Sequence, residues 1–261
     1  MGPLVSLSIG DLCLAGVLVL AVGALSVVQG LGLERRLVVS ALRMTVQLAA
    51  VGYVLKIVFA QGSPVWTALV ALMMTAIAAQ EAGRRQGDGY GSYLIAGITL
   101  LAVGLLTTAY VTAVVMSAES WSSPRIFLPI LGMVLGNALT AVALVLRSVS
   151  EAASGERAAI EARLALGHSR EDAFRGIVRR TLATALLPTL NSMAVAGVVS
   201  LPGMMTGQIL AGADPVEAAK YQIMILFAIA GSSALAATVA AHGAVRLVTD
   251  DRDRLRRPPS R

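Results

Sequence analysis

Several sulfur and amide side chains stand inside otherwise apolar stretches of this sequence. They are Gln47, Asn137, Asn191, Met204, Met205 and Gln208. Thioether sulfurs are soft ligands that suit a metal such as Cu(I), but methionine also fills gaps between packed helices, which is its commonest use. For Met204 and Met205 we favour packing or gating over direct metal contact. The amides could line a substrate pathway or join helices by hydrogen bonds.

The sequence offers little for chemistry that needs a preformed catalytic or metal site. The two histidines, His168 and His242, have no carboxylate or thiolate neighbours at ligand spacing, and no nucleophile is paired with a base. A phosphate-binding loop needs a Lys followed by Ser or Thr after a glycine-rich turn. The two lysines, Lys56 and Lys220, are followed by Ile and Tyr. We therefore predict no enzyme activity and no cofactor in this chain.

The composition is that of a chain surrounded mostly by lipid. Apolar residues make up 56% of the 261 residues and charged residues only 14%, against roughly 25% charged in an average soluble domain. The charges concentrate in short segments between long apolar stretches. The net charge of +6 is then explained by basic loops rather than by nucleic-acid binding. We predict an all-α, multi-pass protein of the inner or plasma membrane.

Seven stretches are long enough to cross about 30 Å of hydrocarbon at 1.5 Å per residue. They are residues 7–28, 37–59, 65–79, 93–116, 126–146, 182–201 and 221–241. Pro64, Pro124 and Pro215 fall just before spans, where a helix tolerates proline best. We expect one transmembrane domain over residues 1–249, followed by a basic, disordered cytosolic tail at 250–261.

The distribution of basic residues predicts an orientation. With the N-terminus outside, seventeen of the 21 Lys and Arg residues lie on the inner side, Arg43 lies within a span, and Lys56, Arg125 and Lys220 lie outside. This bias predicts an external N-terminus and a cytosolic C-terminus. It also places residues 147–180, with seven arginines and no proline, in the cytosol, where their composition favours helix.

Two polar residues share a face of the second span. Arg43 and Gln47 lie four residues apart. Arg43 is two turns from the cytosolic end, so we favour snorkelling of its side chain to the membrane surface. Gln47 lies deeper and should face protein, either in a hydrogen bond between helices or along the pathway.

Glycine and proline mark two further features of the apolar stretches. Gly132 and Gly136 form a GxxxG pair followed by Asn137, a pattern that lets a second helix approach and receive a hydrogen bond from the amide. The alternative is that Asn137 lines a cavity. Pro202 and Gly203 are expected to break the preceding helix. Irregular backbone survives at membrane depth where it is buried in protein or lines a cavity.

The inner helical segment contains a sequence with the form of a docking element. Glu161 and Ala162 are followed by Gly167, and Ile177 comes after nine further residues. This pattern resembles the EAA loop of ABC-importer membrane subunits, in which a short helix ending at the glycine sits in a cleft of the ATPase. Position 163 is Arg where that motif has Ala, and the Leu-Pro pair expected soon after Ile177 comes late.

The local chemistry agrees with a helix–turn–helix at this point. Gly167 should end one helix, and Ser169 can cap the next with Asp172 at its third position. Leu166, Gly167 and His168 would then form the exposed turn that contacts an ATPase. The alternative is an amphipathic surface helix without a partner.

Four segments carry a resemblance to a known family. They are residues 52–56, the GMVLGNA sequence at 132–138, Leu166-Gly167 and the long stretch 197–224. These segments resemble the FetB-type permeases, membrane subunits of an iron-exporting ABC transporter. The resemblance implies a seven-helix permease, a FetA-type ATPase that binds ATP and Mg, and two copies of each chain. Members have been linked to metal export and to aluminium tolerance in plants.

Other classes of membrane protein remain open. A secondary transporter driven by protons or sodium should carry carboxylates within its spans, and only Asp11 and Glu81 come near one. A scaffold without transport activity has little need of a broken helix. The leading hypothesis is a permease subunit that moves a small solute, with metal as one candidate.

Overall fold

The computed structural model describes residues 8–84, 90–116, 123–250 and 252–256, and this part of the chain is helical without β-strands. The helices are α1 (Ile9–Val28), α2 (Glu34–Gln61), α3 (Pro64–Arg84), α4 (Tyr90–Tyr110), α5 (Pro124–Gly155), α6 (Arg157–Ala165), α7 (Arg170–Val195), α8 (Gly203–Leu210) and α9 (Pro215–Val248). A π-helical segment, Val111–Met116, continues α4. The predicted all-α fold is confirmed.

Six helices of the described chain, α1 to α5 and α9, are long and apolar enough to cross a membrane. The multi-pass membrane fold is thereby confirmed. The predicted span at 182–201 is not among these six helices. It falls on α7, which begins in the charged segment at Arg170 and ends at Val195. Its apolar part is too short for a full crossing by one continuous helix. The count of seven crossings and the orientation stay predictions.

Prolines begin three of the helices. Pro64, Pro124 and Pro215 are the first residues of α3, α5 and α9, where the missing N–H costs no helical hydrogen bond. Asp214 caps α9 by accepting hydrogen bonds from the backbone N–H groups of Val216 and Glu217, at 2.9 and 3.1 Å. The expected position of proline at helix starts is confirmed.

The core of the bundle forms around α5. This helix packs against α3, α4, α7 and α9. Leu131, Val142, Val145, Leu146 and Val149 are fully buried in it. Between Ser232 and Ala244, the buried side of α9 consists of small residues, which lets another helix approach closely. They are Ser232, Ser233, Ala236, Ala237, Ala240, Ala241 and Ala244.

Helices α1 and α2 form a hairpin at the edge of this bundle. Ser26 on α1 donates a hydrogen bond to Glu34 at 2.7 Å and accepts one from the backbone N–H of Leu33 at 3.1 Å. Most of the apolar side chains of both helices are exposed. The hairpin therefore presents its surface to lipid or to another protein, and α3, α4, α5, α7 and α9 make the compact unit.

The start of the predicted disordered tail has defined contacts. Leu255 is buried, and Arg256 donates from its backbone N–H to Val248 and from Nε to the Thr249 carbonyl, both at 2.9 Å. Residues 252–256 thus fold back along the end of α9, because one buried leucine and these hydrogen bonds anchor them. Residues 251 and 257–261 of the predicted tail lie outside the described part of the chain.

Candidate functional site

The turn between α6 and α7, residues 166–169, is called the basic turn here because arginines surround it. Gly167 has φ +87°, a conformation that favours glycine. Its N–H donates to Leu164 at 3.0 Å, and the His168 N–H donates to Arg163 at 3.2 Å. These two bonds form a Schellman motif that satisfies the last carbonyls of α6. The predicted helix end at Gly167 is confirmed.

The start of α7 follows the prediction as well. The Ser169 hydroxyl accepts a hydrogen bond from the Asp172 N–H at 3.1 Å and donates to the Asp172 carboxylate at 2.9 Å. Arg163 occupies the position at which the sequence departs from the EAA pattern. Its guanidinium donates to the Ala173 carbonyl at 3.2 Å, so the departure ties α6 to α7 across the turn.

The residues predicted to contact an ATPase all lie on the surface. Glu161, Ala162, Leu166, Gly167 and His168 are exposed. Leu166 is 80% exposed, although it is a large apolar residue, and a methyl group added at Gly167 would meet no atom within 4 Å. The opposite face of α6 is anchored instead, because Ile160 is buried against the main core. The result is a fixed turn with an open apolar tip.

Ion pairs and the tail hold the α6–α7 pair in place. Arg157 contacts Glu161 at 2.6 Å and donates to the carbonyls of Leu255 and Arg256 at 3.4 and 3.1 Å. Arg170 on α7 pairs with Asp253 at 3.0 Å. Residues 252–256 therefore connect the starts of α6 and α7 to the end of α9, a contact that sequence reasoning missed because it joins residues about a hundred positions apart.

The helix break lies earlier than predicted. Helix α7 passes through Pro188 and ends at Val195, and Pro202 caps α8 with Gly203 as its first residue. Residues 196–202 are called the apolar turn here, and the chain turns at Gly197, which has φ +82°. The Pro-Gly pair thus starts α8 instead of ending α7, because proline fits the beginning of a helix. Val198 and Val199 are 89% and 81% exposed.

Methionines gather where α8 meets α5 and α9. Met204 packs against a cluster built on Val134, Ile225 and Ile229. Three further methionines, Met116, Met133 and Met224, pack against the same cluster. Within the residues that the structure describes, no three His, Cys, Asp or Glu side chains form a group that could hold a metal ion. The surroundings of Met204 match the packing interpretation, and Met205 lies half-buried beside it.

Two buried amides lie on helices α8 and α9, which pack against each other. The side-chain oxygens of Gln208 and Gln222 are both buried, and neither accepts a hydrogen bond in the described chain. A buried carbonyl without a donor costs about 1–3 kcal/mol, so such groups mark places where a further donor or a cation can bind. Sequence reasoning selected Gln208 and missed Gln222, although a glutamine within an apolar span was the available signal.

The other predicted pathway residues lie on the surface of a single copy of the chain. Gln47, Asn137 and Asn191 lie exposed on α2, α5 and α7. The Asn137 amide donates to Met133, one turn earlier on its own helix, at 2.9 Å. The predicted hydrogen bond of Asn137 to another helix is therefore absent from the described contacts.

The glycine pair on α5 divides between two environments. A methyl group at Gly132 would lie 3.2 Å from Met74 Cε on α3, so this glycine does allow close packing. At Gly136 nothing lies within 4 Å, and the residue is exposed. Gly136, Asn137 and Thr140 together leave a small, polar face of α5 uncovered.

An ion pair between spans was also missed. Arg43 on α2 contacts Glu81 on α3 at 3.2 Å. Charges at membrane depth commonly pair with one another, so this partner adds to the snorkelling predicted for Arg43. The sequence signal was the single carboxylate near the end of the next span.

Comparisons with known proteins agree with this architecture. Residues 9–248 match the model of the uncharacterised protein family UPF0014. The chain is 34% identical over 245 residues to the "Probable iron export permease protein FetB" of Escherichia coli (strain K12), covering 94% of this chain and 93% of that protein.

Two further relatives come from a bacterium and from a plant. "UPF0014 membrane protein YjkA" of Bacillus subtilis (strain 168) is 32% identical over 213 residues, which cover 80% of this chain and 82% of that protein. "UPF0014 membrane protein STAR2" of Oryza sativa subsp. japonica is 34% identical over 219 residues, with coverage of 84% and 76%. No solved structure matches the chain. The similarity to FetB-type permeases is confirmed, and a match spanning all six apolar helices shows that the chain belongs to the UPF0014 family of multi-pass membrane proteins.

Proposed function

We propose that this chain is the membrane subunit of an ABC-type transporter and moves a small solute by alternating access. A separate ATPase chain would bind ATP and Mg and contact the basic turn. The relative named as an iron export permease supports the transport role. The observation that carries the ATPase role is the basic turn itself, with Leu166 80% exposed at the tip of a firmly anchored helix pair.

The structure of α7 supports a mechanical role. Its 26 residues span about 39 Å at 1.5 Å per residue. The basic turn lies at one end and the apolar turn at the other, and the helix packs against α5 and α9 between them. A push on Leu166 and Gly167 by a closing ATPase would therefore move α7 along the core and shift α8.

A second copy of the chain would complete the pathway. Gln47, Asn137 and Asn191 are exposed within the apolar parts of α2, α5 and α7. Polar side chains in a membrane favour protein or water over lipid. We propose that these faces contact a second permease copy or the cavity between two copies.

Metal ions are the first cargo to test. The printed name of the FetB relative supports iron, and the methionines and amide oxygens near α8 would offer soft and neutral ligands. Vesicles containing the permease and the ATPase should show ATP-dependent flux of one metal from a panel. Flux that follows a proton or sodium gradient without ATP would instead support a secondary transporter.

The ATPase role is tested by co-expression with the ATPase encoded by a neighbouring gene. The two chains should purify as a stable complex, and the permease should stimulate ATP hydrolysis. Gly167→Val should abolish that stimulation, because a branched side chain is strained at φ +87° and would occupy the surface proposed to contact the ATPase. Membrane insertion should continue.

Gly212→Val is the matched control. Gly212 has φ +91° and nothing within 4 Å of an added methyl group, but it follows α8 at the other end of α7. This variant should keep normal stimulation. Equal behaviour of the two variants, or normal coupling in Gly167→Val, would contradict the assignment of the basic turn.

A further inference from the structure

A crevice of about 410 Å³ opens between the first half of α7 and the last turns of α9. Its volume falls in the range of small-molecule sites. The inner wall is apolar, since Phe174 is fully buried and Val245 is 5% exposed, and Val178 and Leu182 continue it. One side of the crevice can therefore accept hydrocarbon.

The rim of this crevice is basic. Arg175, Arg179 and Arg246 line it, together with His242 and a single carboxylate, Glu171. Glu171 already lies 3.7 Å from Arg170, and Arg175 pairs with Asp172 at 2.5 Å.

The two remaining arginines are available for a ligand. Within the described chain, the side chains of Arg179 and Arg246 make no hydrogen bond or ion pair, and both residues are exposed. His242 Nδ1 lies 2.8 Å from the Thr238 carbonyl, and a histidine ring adds no negative charge to the rim. The rim holds three guanidinium groups against one carboxylate.

The position of the crevice matches the boundary of a membrane. Helices α7 and α9 both change there from charged to apolar residues, at Leu182 and Val245. A ligand must therefore combine an anionic group for the arginines with an apolar chain for the wall. Basic pockets between transmembrane helices bind anionic lipid headgroups in this way, and guanidinium groups form paired hydrogen bonds with phosphate.

We propose that this crevice binds an anionic phospholipid, with the phosphate between Arg179 and Arg246 and the start of an acyl chain along Val178 and Leu182. The inference rests on the membrane fold and is independent of the ATPase role. The bound lipid would join α7 to α9 immediately beside the basic turn.

Native mass spectrometry of the purified chain tests this site. The protein is equilibrated with phosphatidylglycerol or with phosphatidylcholine at equal concentration. The wild type should retain phosphatidylglycerol in preference, and the double variant Arg179→Gln/Arg246→Gln should lose that preference by about tenfold, as two charge-assisted contacts are removed. Arg179→Lys/Arg246→Lys should keep most of it.

The matched control is Arg35→Gln/Arg36→Gln. It removes the same charge from exposed residues at the start of α2, away from the crevice, and should bind phosphatidylglycerol like the wild type. Val178→Trp, which fills the apolar wall without changing charge, should also reduce retention.

Three outcomes would overturn the proposal. One is equal loss in the crevice and control variants, which would indicate a general effect of charge. Another is unchanged retention in Arg179→Gln/Arg246→Gln. The third is displacement of the lipid by millimolar inorganic phosphate, which would identify a phosphate site without a lipid component.

Discussion

The basic turn and the apolar turn, at the two ends of α7, each contain a glycine with positive φ but differ in the residues that surround it. Gly167 and Gly197 both adopt positive φ, at +87° and +82°. The basic turn is held by Ser169, by Arg163 and by ion pairs from neighbouring segments. The apolar turn is closed by backbone hydrogen bonds, including Gly197 to Ser200 at 2.9 Å, and presents Val198 and Val199 at its tip.

The difference indicates two kinds of surroundings. Arginine–carboxylate contacts orient a turn in water without requiring burial, and they leave Leu166 free to enter a pocket on another protein. A turn that satisfies its own backbone and exposes valines suits a lipid or interfacial environment. One helix thus connects a turn held by charged side chains with a turn that exposes valines, and the proposed ATPase contact lies at the first of them.

The strongest test of this comparison is Leu166→Asp. We expect about a thirtyfold loss of affinity for the partner ATPase, because a central apolar contact of this kind contributes about 2 kcal/mol. Binding is measured by titration of the ATPase into permease nanodiscs. The free energy of unfolding should stay within about 0.5 kcal/mol of wild type, since the side chain is exposed. An ATPase affinity equal to wild type would place the contact elsewhere.

Val198→Asp makes the reciprocal change in the apolar turn. We expect it to lower the free energy of unfolding in bilayers by about 1–2 kcal/mol, less than the roughly 3 kcal/mol of a charge at the membrane centre, because a turn near the surface is partly hydrated. Unfolding is measured by denaturant titration in bicelles. ATPase affinity should be preserved, and a loss as large as that of Leu166→Asp would remove the distinction between the turns.

The third test compares two serines. Ser169 caps α7 through the Asp172 N–H, so Ser169→Ala should lower the free energy of unfolding by about 1 kcal/mol. Ser200 in the apolar turn contributes through its backbone, and Ser200→Ala should change the value by less than about 0.5 kcal/mol. Equal effects would show that Ser169 does not act as a cap.

The smallest effect concerns pH and the tail beside the basic turn. The backbone N–H of Arg254, with that of Arg252, donates to the Asp250 carboxylate and lowers the pKa of Asp250 below its ordinary value. Because the ionised carboxylate of Asp250 accepts these hydrogen bonds, it stabilises the docked tail at pH values above the pKa of an aspartate in the unfolded chain. This contribution is lost as the pH falls below about 4 and through the lowered value.

A spin label at Arg252→Cys in a Cys13→Ser background reports this loss. The label should become more mobile as the pH falls from about 4 through the lowered pKa of Asp250. Asp250→Asn should make it mobile throughout that range. A label at Val198→Cys in the apolar turn, where no carboxylate takes part, should show no such transition.

Local features were predictable because their partners lie within about four residues. The prolines at the starts of α3, α5 and α9, the helix end at Gly167 and the cap formed by Ser169 and Asp172 belong to this class. The helix break was placed too late. Pro-Gly was the stronger local signal, but the chain reversed at Gly197 and used Pro202 to begin α8.

Contacts between distant segments were not predictable in the same way. Arg43 was interpreted from its distance to the membrane surface, but it also contacts Glu81. Gln222 stood out as a glutamine in an apolar span, but only the packed structure shows that its side-chain oxygen is buried and accepts no hydrogen bond within the described chain. The tail at 252–256 was expected to be disordered from its charge, yet one buried leucine and two arginines at distant positions anchor it.

The sequence by itself determined that this chain is a helical membrane protein, where most helices begin and that a capped glycine turn follows α6, because hydropathy and local hydrogen bonds are properties of neighbouring residues. Only the tertiary structure decided which polar groups meet. It placed Leu166 at an exposed tip and left the side-chain oxygens of Gln208 and Gln222 without donors among the described residues. It also brought Arg179 on α7 and Arg246 on α9 to the rim of one crevice. Such pairings depend on how separate helices pack, and the packing follows from the whole set of buried surfaces.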